Sequence, residues 1–165
     1  MRLRNFKKKD VQGMLEWMKD DSINMFFAFD AKRIDEASCL TFINEAQSEI
    51  DKHYAIVDDN DAYMGTVSLK NIDKKNSHAE YAVALRKTAH GKGIAKIATD
   101  EILRIAFEDL GLDKVYLNVY AENKRAIAFY EKYGFTYEGE FIRHIRINGE
   151  LCNLKWYAFF KDQFL

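Results

Sequence analysis

No proline occurs among the 165 residues, and most of the 8 glycines fall at turn positions, so nothing reads as an interdomain linker. Cysteine is scarce as well. Cys39 and Cys152 sit inside apolar-patterned segments with no C-x-x-C and no histidine at ligand spacing, which argues against a redox pair or a zinc site and predicts buried free thiols. Charge of one sign is missing: Lys+Arg 25 against Asp+Glu 26 leaves a formal net charge of -1, so no global field draws the chain onto nucleic acid or an anionic membrane. The basic run Lys7-Lys8-Lys9 is too short for a nucleic-acid stripe. No apolar run is long enough to cross a bilayer, and Met1 to Phe6 has no apolar signal core, which predicts a soluble cytoplasmic protein without membrane or nucleic-acid partners. Neither internal repeats nor low-complexity tracts occur. The length suits one domain, residues 1–165, burying roughly two-thirds of the surface that the unfolded chain exposes.

What is present reads as alternating strands and helices. Residues 1 to 6 alternate like a short strand, and Asp10 can cap a helix whose Val11, Met14, Leu15 and Met18 share one face. Asp35 caps a second helix, expected to run to Ile50. Strands follow at His53 to Val57 and Tyr63 to Ile72, joined by Asp58-Asp59-Asn60-Asp61, which lacks the glycine and distal glutamate of a calcium loop and reads as a solvated hairpin tip. A strand from Ser77 to Arg86 leads into a helix from Gly93 to Leu110, with Ile94, Ile97, Ala98, Ile102, Ile105 and Ala106 expected inside and Gly111 at its end. A strand from Lys114 to Tyr120 alternates Val115, Leu117 and Val119. Behind Asn123 as cap comes a helix from Lys124 to Tyr133, closed by Gly134. Asn148-Gly149 turns a final hairpin between Phe135 to Ile147 and Leu151 to Phe160.

One segment carries chemistry directly. In His90-Gly91-Lys92-Gly93-Ile94-Ala95, two glycines let backbone amides approach an anion, and the helix that begins there adds unpaired N–H groups and the positive end of a dipole. Taken alone, such a run also fits an ordinary surface turn. The strand through Val83-Ala84-Leu85 must reach the strand at Val115 by a crossover helix, which makes the two parallel neighbours, and ligands of open α/β sheets bind at the carboxyl ends of such strands. A pyrophosphate held there would leave an elongated ligand to run along the sheet and pair its amides with exposed backbone. Coenzyme A has that shape.

The run Val83-Ala84-Leu85-Arg86-Lys87-Thr88-Ala89-His90-Gly91-Lys92-Gly93-Ile94-Ala95 and the later Asn123-Lys124-Arg125-Ala126-Ile127-Ala128-Phe129-Tyr130-Glu131-Lys132-Tyr133-Gly134-Phe135 resemble, in order and separation, the GNAT superfamily of N-acetyltransferases. The resemblance implies a mixed α/β fold, a mostly antiparallel sheet of about seven strands with a parallel central pair, flanked by about four helices. It implies acetyl-CoA as co-substrate, with Val83, Ala84 and Leu85 along the pantetheine and the segment His90, Gly91, Lys92, Gly93, Ile94, Ala95 and Lys96 at the pyrophosphate. Asn123 and Lys132 complete the implied cofactor set, and Tyr130 is implied as the general acid at the thiol sulfur. Its spacing from Ala126 and Ile127 also suits a core tyrosine. Glu80 is the candidate base that frees the amine of its proton, placed by alternation opposite Tyr81 on the face of Ala82 and Ala84; a solvent-facing strand glutamate is the other reading. Two positions depart from the family pattern: His90 stands where a glutamine or arginine usually opens the loop, and the usual proline a few residues earlier is missing.

Within the superfamily, Gly139-Glu140-Phe141 and Ile147-Asn148-Gly149-Glu150-Leu151-Cys152-Asn153 resemble the branch of polyamine and ribosomal-protein amino-terminal acetyltransferases, and Glu16-Trp17-Met18-Lys19-Asp20 is similar to acetyltransferases of nucleotide-linked amino sugars. The expected partner is a small-molecule amine, a polyamine first, with a homo-oligomer left open. The resemblance implies an acceptor side built from the first two helices and their connection, roughly Trp17 to Asp35, where Met25-Phe26-Phe27-Ala28-Phe29-Asp30 is aromatic with nearby acids, and equally explicable as helix packing plus a loop. The alternatives are acetylation of an amino sugar or a peptide amino terminus, or a non-catalytic acyl-CoA-binding module. His53, His78 and His144 show no ligand spacing.

Overall fold

The computed structural model describes residues 1–24 and 30–164. The chain opens with β1 (Arg2–Arg4), a 3₁₀ turn at Lys8–Asp10, α1 (Val11–Lys19), the single turn α2 (Asp21–Asn24) and α3 (Glu36–Asn44). Three strands follow, β2 (Lys52–Val57), β3 (Tyr63–Asp73) and β4 (His78–Leu85), then α4 (Ile94–Arg104), β5 (Lys114–Tyr120) and α5 (Lys124–Tyr133). The hairpin of β6 (Thr136–Ile147) and β7 (Glu150–Phe160) and the short α6 (Lys161–Phe164) complete it. The seven strands lie in the order β1-β2-β3-β4-β5-β7-β6, and β4 with β5 is the parallel pair in an otherwise antiparallel sheet. The two helices beyond the four expected are α2 and α6, each of four residues.

Each face of the sheet carries its own core. On one, Val67, Leu69, Tyr81, Val115, Leu117 and Tyr157 pack under Ala98, Ile102 and Leu103 of α4 and Ile127 and Tyr130 of α5. On the other, Ala55, Val57 and Tyr63 meet Val11, Met14 and Trp17 of α1 and Cys39 of α3. Period-two alternation in β5 and period-3.6 stripes in α1 and α4 supply these faces, as the sequence pattern requires. The helix α4 widens at its end into a π turn over Ile105–Asp109, the Leu110 N–H donating to the Ile105 carbonyl, before Gly111 at φ +67° reverses the chain. Both cysteines are buried free thiols.

Three expectations change. Asp10 begins α1 but does not cap it with its side chain; its carboxylate is buried, accepting from both Arg4 Nη1 (2.8 Å) and Nη2 (2.9 Å) and from the Lys7 backbone N–H (2.8 Å). A guanidinium offers a charge-assisted pair of bonds that outcompetes a single amide. Ile97 is 48% exposed, because the buried stripe runs through Ala98, Ile102 and Leu103 and leaves it at the flank. The helix begun at Asp35, whose Oδ1 accepts from the Ser38 N–H, stops at Asn44, and the residues up to Ile50 form a turn bridged to β2 at Gln47 and Lys52.

His53 is held on β2 with Nδ1 2.6 Å from the Ser68 hydroxyl and its ring against Phe42, and burial lowers its pKa below the ordinary value. A depressed histidine favours the folded state while neutral. Its contribution is therefore complete above the unfolded value near 6.5 and is lost as pH falls below it. In denaturant titrations between pH 7.5 and 5, His53→Gln is expected to flatten the fall of stability with acid, and an unchanged slope would show that other groups cause it.

Candidate active site

The site begins where the parallel pair stops being a pair. β4 and β5 are in register only at His78 with Lys114, Ala79 with Val115 and Glu80 with Tyr116. Beyond that rung β4 stays bonded to β3 as far as Leu85 with Gly65, and β5 stays bonded to β7 through Tyr120 with Leu154. The two strands therefore diverge, and from Tyr81 to Leu85 β4 turns alternate N–H and C=O groups toward the opening rather than toward β5. Ala82, Val83, Ala84 and Leu85 are all partly exposed, where an alternating strand inside a covered sheet would bury every second one.

At the wide end, the chain leaves Leu85 through a 3₁₀ turn at Lys87–Ala89 into the glycine loop. Gly91 and Gly93 both have φ near +70°, at 74° and 73°, a backbone that L side chains rarely adopt, and a Cβ at either would meet nothing within 4 Å among the described residues. Glycine serves there to turn the amides outward into open space. Among the described residues, none of the N–H groups from Gly91 to Lys96 has a hydrogen-bond acceptor; the first helix bond is from Ile97 N–H to the Gly93 carbonyl. A row of such amides at the start of an eleven-residue helix suits an anion. His90, Gly91, Lys92, Gly93, Ile94, Ala95 and Lys96 thus form one continuous loop and first helical turn, with Lys96 tied to Asp100 at 2.8 Å.

At the narrow end, Tyr130 of α5 is buried with its ring edge-on to Tyr81, centroids 6.0 Å apart, and packed on Phe135. Tyr81 is the first residue past the last β4–β5 rung, so Tyr130 sits where the opening starts. Its hydroxyl has no hydrogen-bond partner among the described residues, and burial alone pushes its pKa well above the usual tyrosine value. The Tyr81 hydroxyl, by contrast, is satisfied by Thr99 at 2.9 Å. On the opposite face of the sheet, Glu80 is partly buried, with Oε1 accepting from Asn118 Nδ2 (2.7 Å) and Oε2 paired with Lys70 Nζ (2.9 Å). It is neither a free surface glutamate nor an unsupported one. Asn123 caps α5 through a 3.2 Å bond from the Ala126 N–H, and Lys132 lies on the last turn of α5, roughly 10 Å along the axis from Arg125.

Sequence reasoning missed Lys70, Asn118, Tyr116 and Trp156 around Glu80. Tyr116 shares the last rung with Glu80, and its ring lies 6.1 Å from that of Trp156, which in turn meets Phe141 at 5.0 Å. Their signal was the polar half of the β5 alternation, Tyr116 and Asn118, set between Val115, Leu117 and Val119. Of the other histidines, His78 lies edge-on to Tyr116 and His144 against Phe141. In the proposed acceptor segment, Met25, Phe26, Phe27, Ala28 and Phe29 lie outside the described residues.

A diverging parallel pair, a bare-amide loop at its mouth and a buried tyrosine at its root accord with the family match: residues 1–136 fit the acetyltransferase (GNAT) domain. The chain belongs to the GNAT acetyltransferase family. Enzymes of this family use acetyl-CoA as co-substrate. A spermidine N(1)-acetyltransferase of Vibrio cholerae is 29% identical over 115 residues, covering 70% of this chain and 66% of the relative. A putative ribosomal N-acetyltransferase of Bacillus subtilis is 32% identical over 99 residues, covering 60% and 54%. The GNAT chain thus spans between about half and two-thirds of the length of these curated relatives. A crystal structure of the Vibrio cholerae spermidine N-acetyltransferase in complex with CoA and spermine superposes with a TM-score of 0.90 at 22% identity, over 99% of this chain and 96% of that one, which shows a shared fold. No helix among the described residues is long and apolar enough to cross a membrane.

Proposed function

We propose that this chain is an acetyl-CoA-dependent amine N-acetyltransferase whose acceptors are polyamines. The observation that carries the reading is the opening between β4 and β5, with the bare amides from Gly91 to Lys96 at one end and the Tyr130 hydroxyl at the other. The residues fit acetyl-CoA along its length. The amides and the Cβ-free space at Gly91 and Gly93 suit the pyrophosphate, and the unpaired edge of Tyr81 to Leu85 suits the pantetheine amides as an added strand would. The thioester then falls at the narrow end, between Tyr130 on one face and Glu80 on the other.

That placement suits direct transfer. The amine nitrogen forms a bond to the acetyl carbon, the carbon–sulfur bond breaks, and the pair of electrons leaves on sulfur. One proton must come off the nitrogen and one must reach the sulfur. Glu80 keeps unused lone pairs on both oxygens and takes the first through a water, held in place by Asn118 and Lys70. Tyr130 supplies the second. Burial that raises its own pKa acts in the same sense on a thiolate forming beside it, so the two proton affinities rise together. Polyamines are favoured by the row of Tyr116, Trp156 and Phe141 next to Glu80, rings that suit methylene stems and cationic nitrogens.

Thiol release from acetyl-CoA, measured over spermidine, spermine, amino sugars and peptide amino termini, tests this. Turnover highest on a polyamine is expected. Cofactor binding without turnover on any amine would instead identify an acyl-CoA-binding module. The loop has its own test: Gly93→Val forces a β-branched residue to φ +73°, a strain of roughly 1–2 kcal/mol, and is expected to weaken CoA about tenfold by calorimetry. Unchanged affinity would remove the loop from the cofactor site.

A further inference from the structure

His90 departs from the family pattern, and the structure gives it a use. Its Nε2 lies 3.2 Å from the Leu85 carbonyl and its Nδ1 lies 3.1 Å from Arg125 Nη1. The carbonyl can only accept and the guanidinium can only donate, so one tautomer satisfies both: the hydrogen is on Nε2 and the lone pair on Nδ1 faces Arg125. Leu85 is the last residue of β4, and Arg125 lies in the first turn of α5, the helix that follows β5. The imidazole therefore spans the mouth of the opening, from the end of one wall to the helix that extends the other.

Arg125 is exposed and has no carboxylate within ion-pair distance among the described residues, whereas Lys96, the cation of the loop's own helix, is neutralised by Asp100. Of its five N–H donors one is spent on His90. The rest have no acceptor among the described residues, and the bond to His90 ties the guanidinium to the residue that opens the loop of unpaired amides. A planar cation with free donors next to a row of bare amides completes a phosphate site, since the amides supply direction and the guanidinium supplies charge.

We propose that Arg125 is the cationic ligand for a phosphate of the nucleotide end of acetyl-CoA, and that His90 is a positioning residue that holds it over the glycine loop. This rests on the acetyl-CoA reading above. The site takes a phosphate mono- or diester, which in this cofactor is either the pyrophosphate or the 3′-phosphate. The geometry also states what can replace His90. Glutamine carries an acceptor and a donor that can be set in the same order, whereas arginine at this position would face Arg125 with a second cation.

The test uses the intact protein, with circular dichroism confirming that each variant is folded. Calorimetry with CoA and with 3′-dephospho-CoA is combined with kcat/KM for acetyl-CoA against acetyl-pantetheine, which has no phosphate. Arg125→Ala is expected to weaken CoA roughly 10- to 100-fold, and to lower the ratio of kcat/KM on acetyl-CoA to that on acetyl-pantetheine by a similar factor. His90→Ala should weaken CoA by about three- to tenfold, and the double variant should be no worse than Arg125→Ala, because His90 acts through the arginine. His90→Gln should bind as the wild type does. A loss equal for both CoA forms assigns the pyrophosphate, and a loss confined to CoA assigns the 3′-phosphate. Arg125→Ala binding within twofold of the wild type, or additive losses in the double variant, would overturn the proposal while leaving the acetyltransferase reading intact. A wild-type protein that binds no CoA would end both.

Discussion

Tyr130→Phe is expected to lower turnover roughly 10²- to 10⁴-fold while leaving CoA affinity within about twofold, the signature of a lost proton donor rather than a lost contact. The substitution removes one oxygen, keeps the ring, and so preserves the packing against Tyr81 and Phe135. No hydrogen bond within the protein is broken, because the hydroxyl makes none among the described residues. A tyrosine that served only the core would tolerate phenylalanine with little effect on rate. The pH dependence separates the two further. With the hydroxyl pKa raised by burial, Tyr130 remains protonated through the range where an ordinary tyrosine begins to ionise, so the wild-type rate should not fall toward pH 10 on its account. Thiol-release rates with a saturating amine, together with CoA calorimetry, decide the matter; a loss smaller than about tenfold would take the general-acid role away from Tyr130.

The second large effect is on stability. Asp10→Ala is expected to destabilise the fold by roughly 3 kcal/mol, a fall in Tm on the order of 10 °C, because it strips a buried guanidinium of its bidentate partner. The side chains of Arg4 and Asp10 are 9% and 1% exposed, and Arg4 also reaches Asp61, at 2.7 Å, so part of its charge stays compensated. The network ties β1 to the start of α1 and to the β2–β3 turn, whose Asp61 lies 57 positions from Arg4 in sequence. Asp59→Ala is the comparison: its ion pair with the amino terminus is exposed and screened, and the change should be nearly silent. Equal Tm values for the two variants would show that the buried pair contributes no more than a surface one.

The elements read most clearly from the chain were those with strong local punctuation. Asn123 and Gly134 bracket α5, and Gly111 ends the run that begins at Gly93, as helix caps and positive-φ glycines allow. Local pattern failed where a side chain had a better partner outside its own element. Asp10 has the right type and place for a helix cap, yet Arg4 holds its carboxylate, and that contact depends on β1 lying against β2. Ile97 fits an apolar stripe by count, but the helix meets the sheet along Ala98 and Ile102. Tyr116, Asn118 and Trp156 went unread because an alternating strand advertises its apolar face; what its polar face does depends on the neighbouring strand.

The sequence by itself determined the order of elements, the bare-amide loop between β4 and α4, and the two segments that mark the GNAT family. Periodicity, caps and turn chemistry act within a few residues and are therefore written locally. Only the tertiary structure decided that β4 and β5 part after Glu80, that Asn118 and Lys70 converge on that glutamate, and that His90 reaches Arg125. Those contacts join residues on different elements, 38 positions apart for Glu80 with Asn118 and 35 for His90 with Arg125, and strand register, sheet twist and helix docking bring them together, none of which a local pattern encodes.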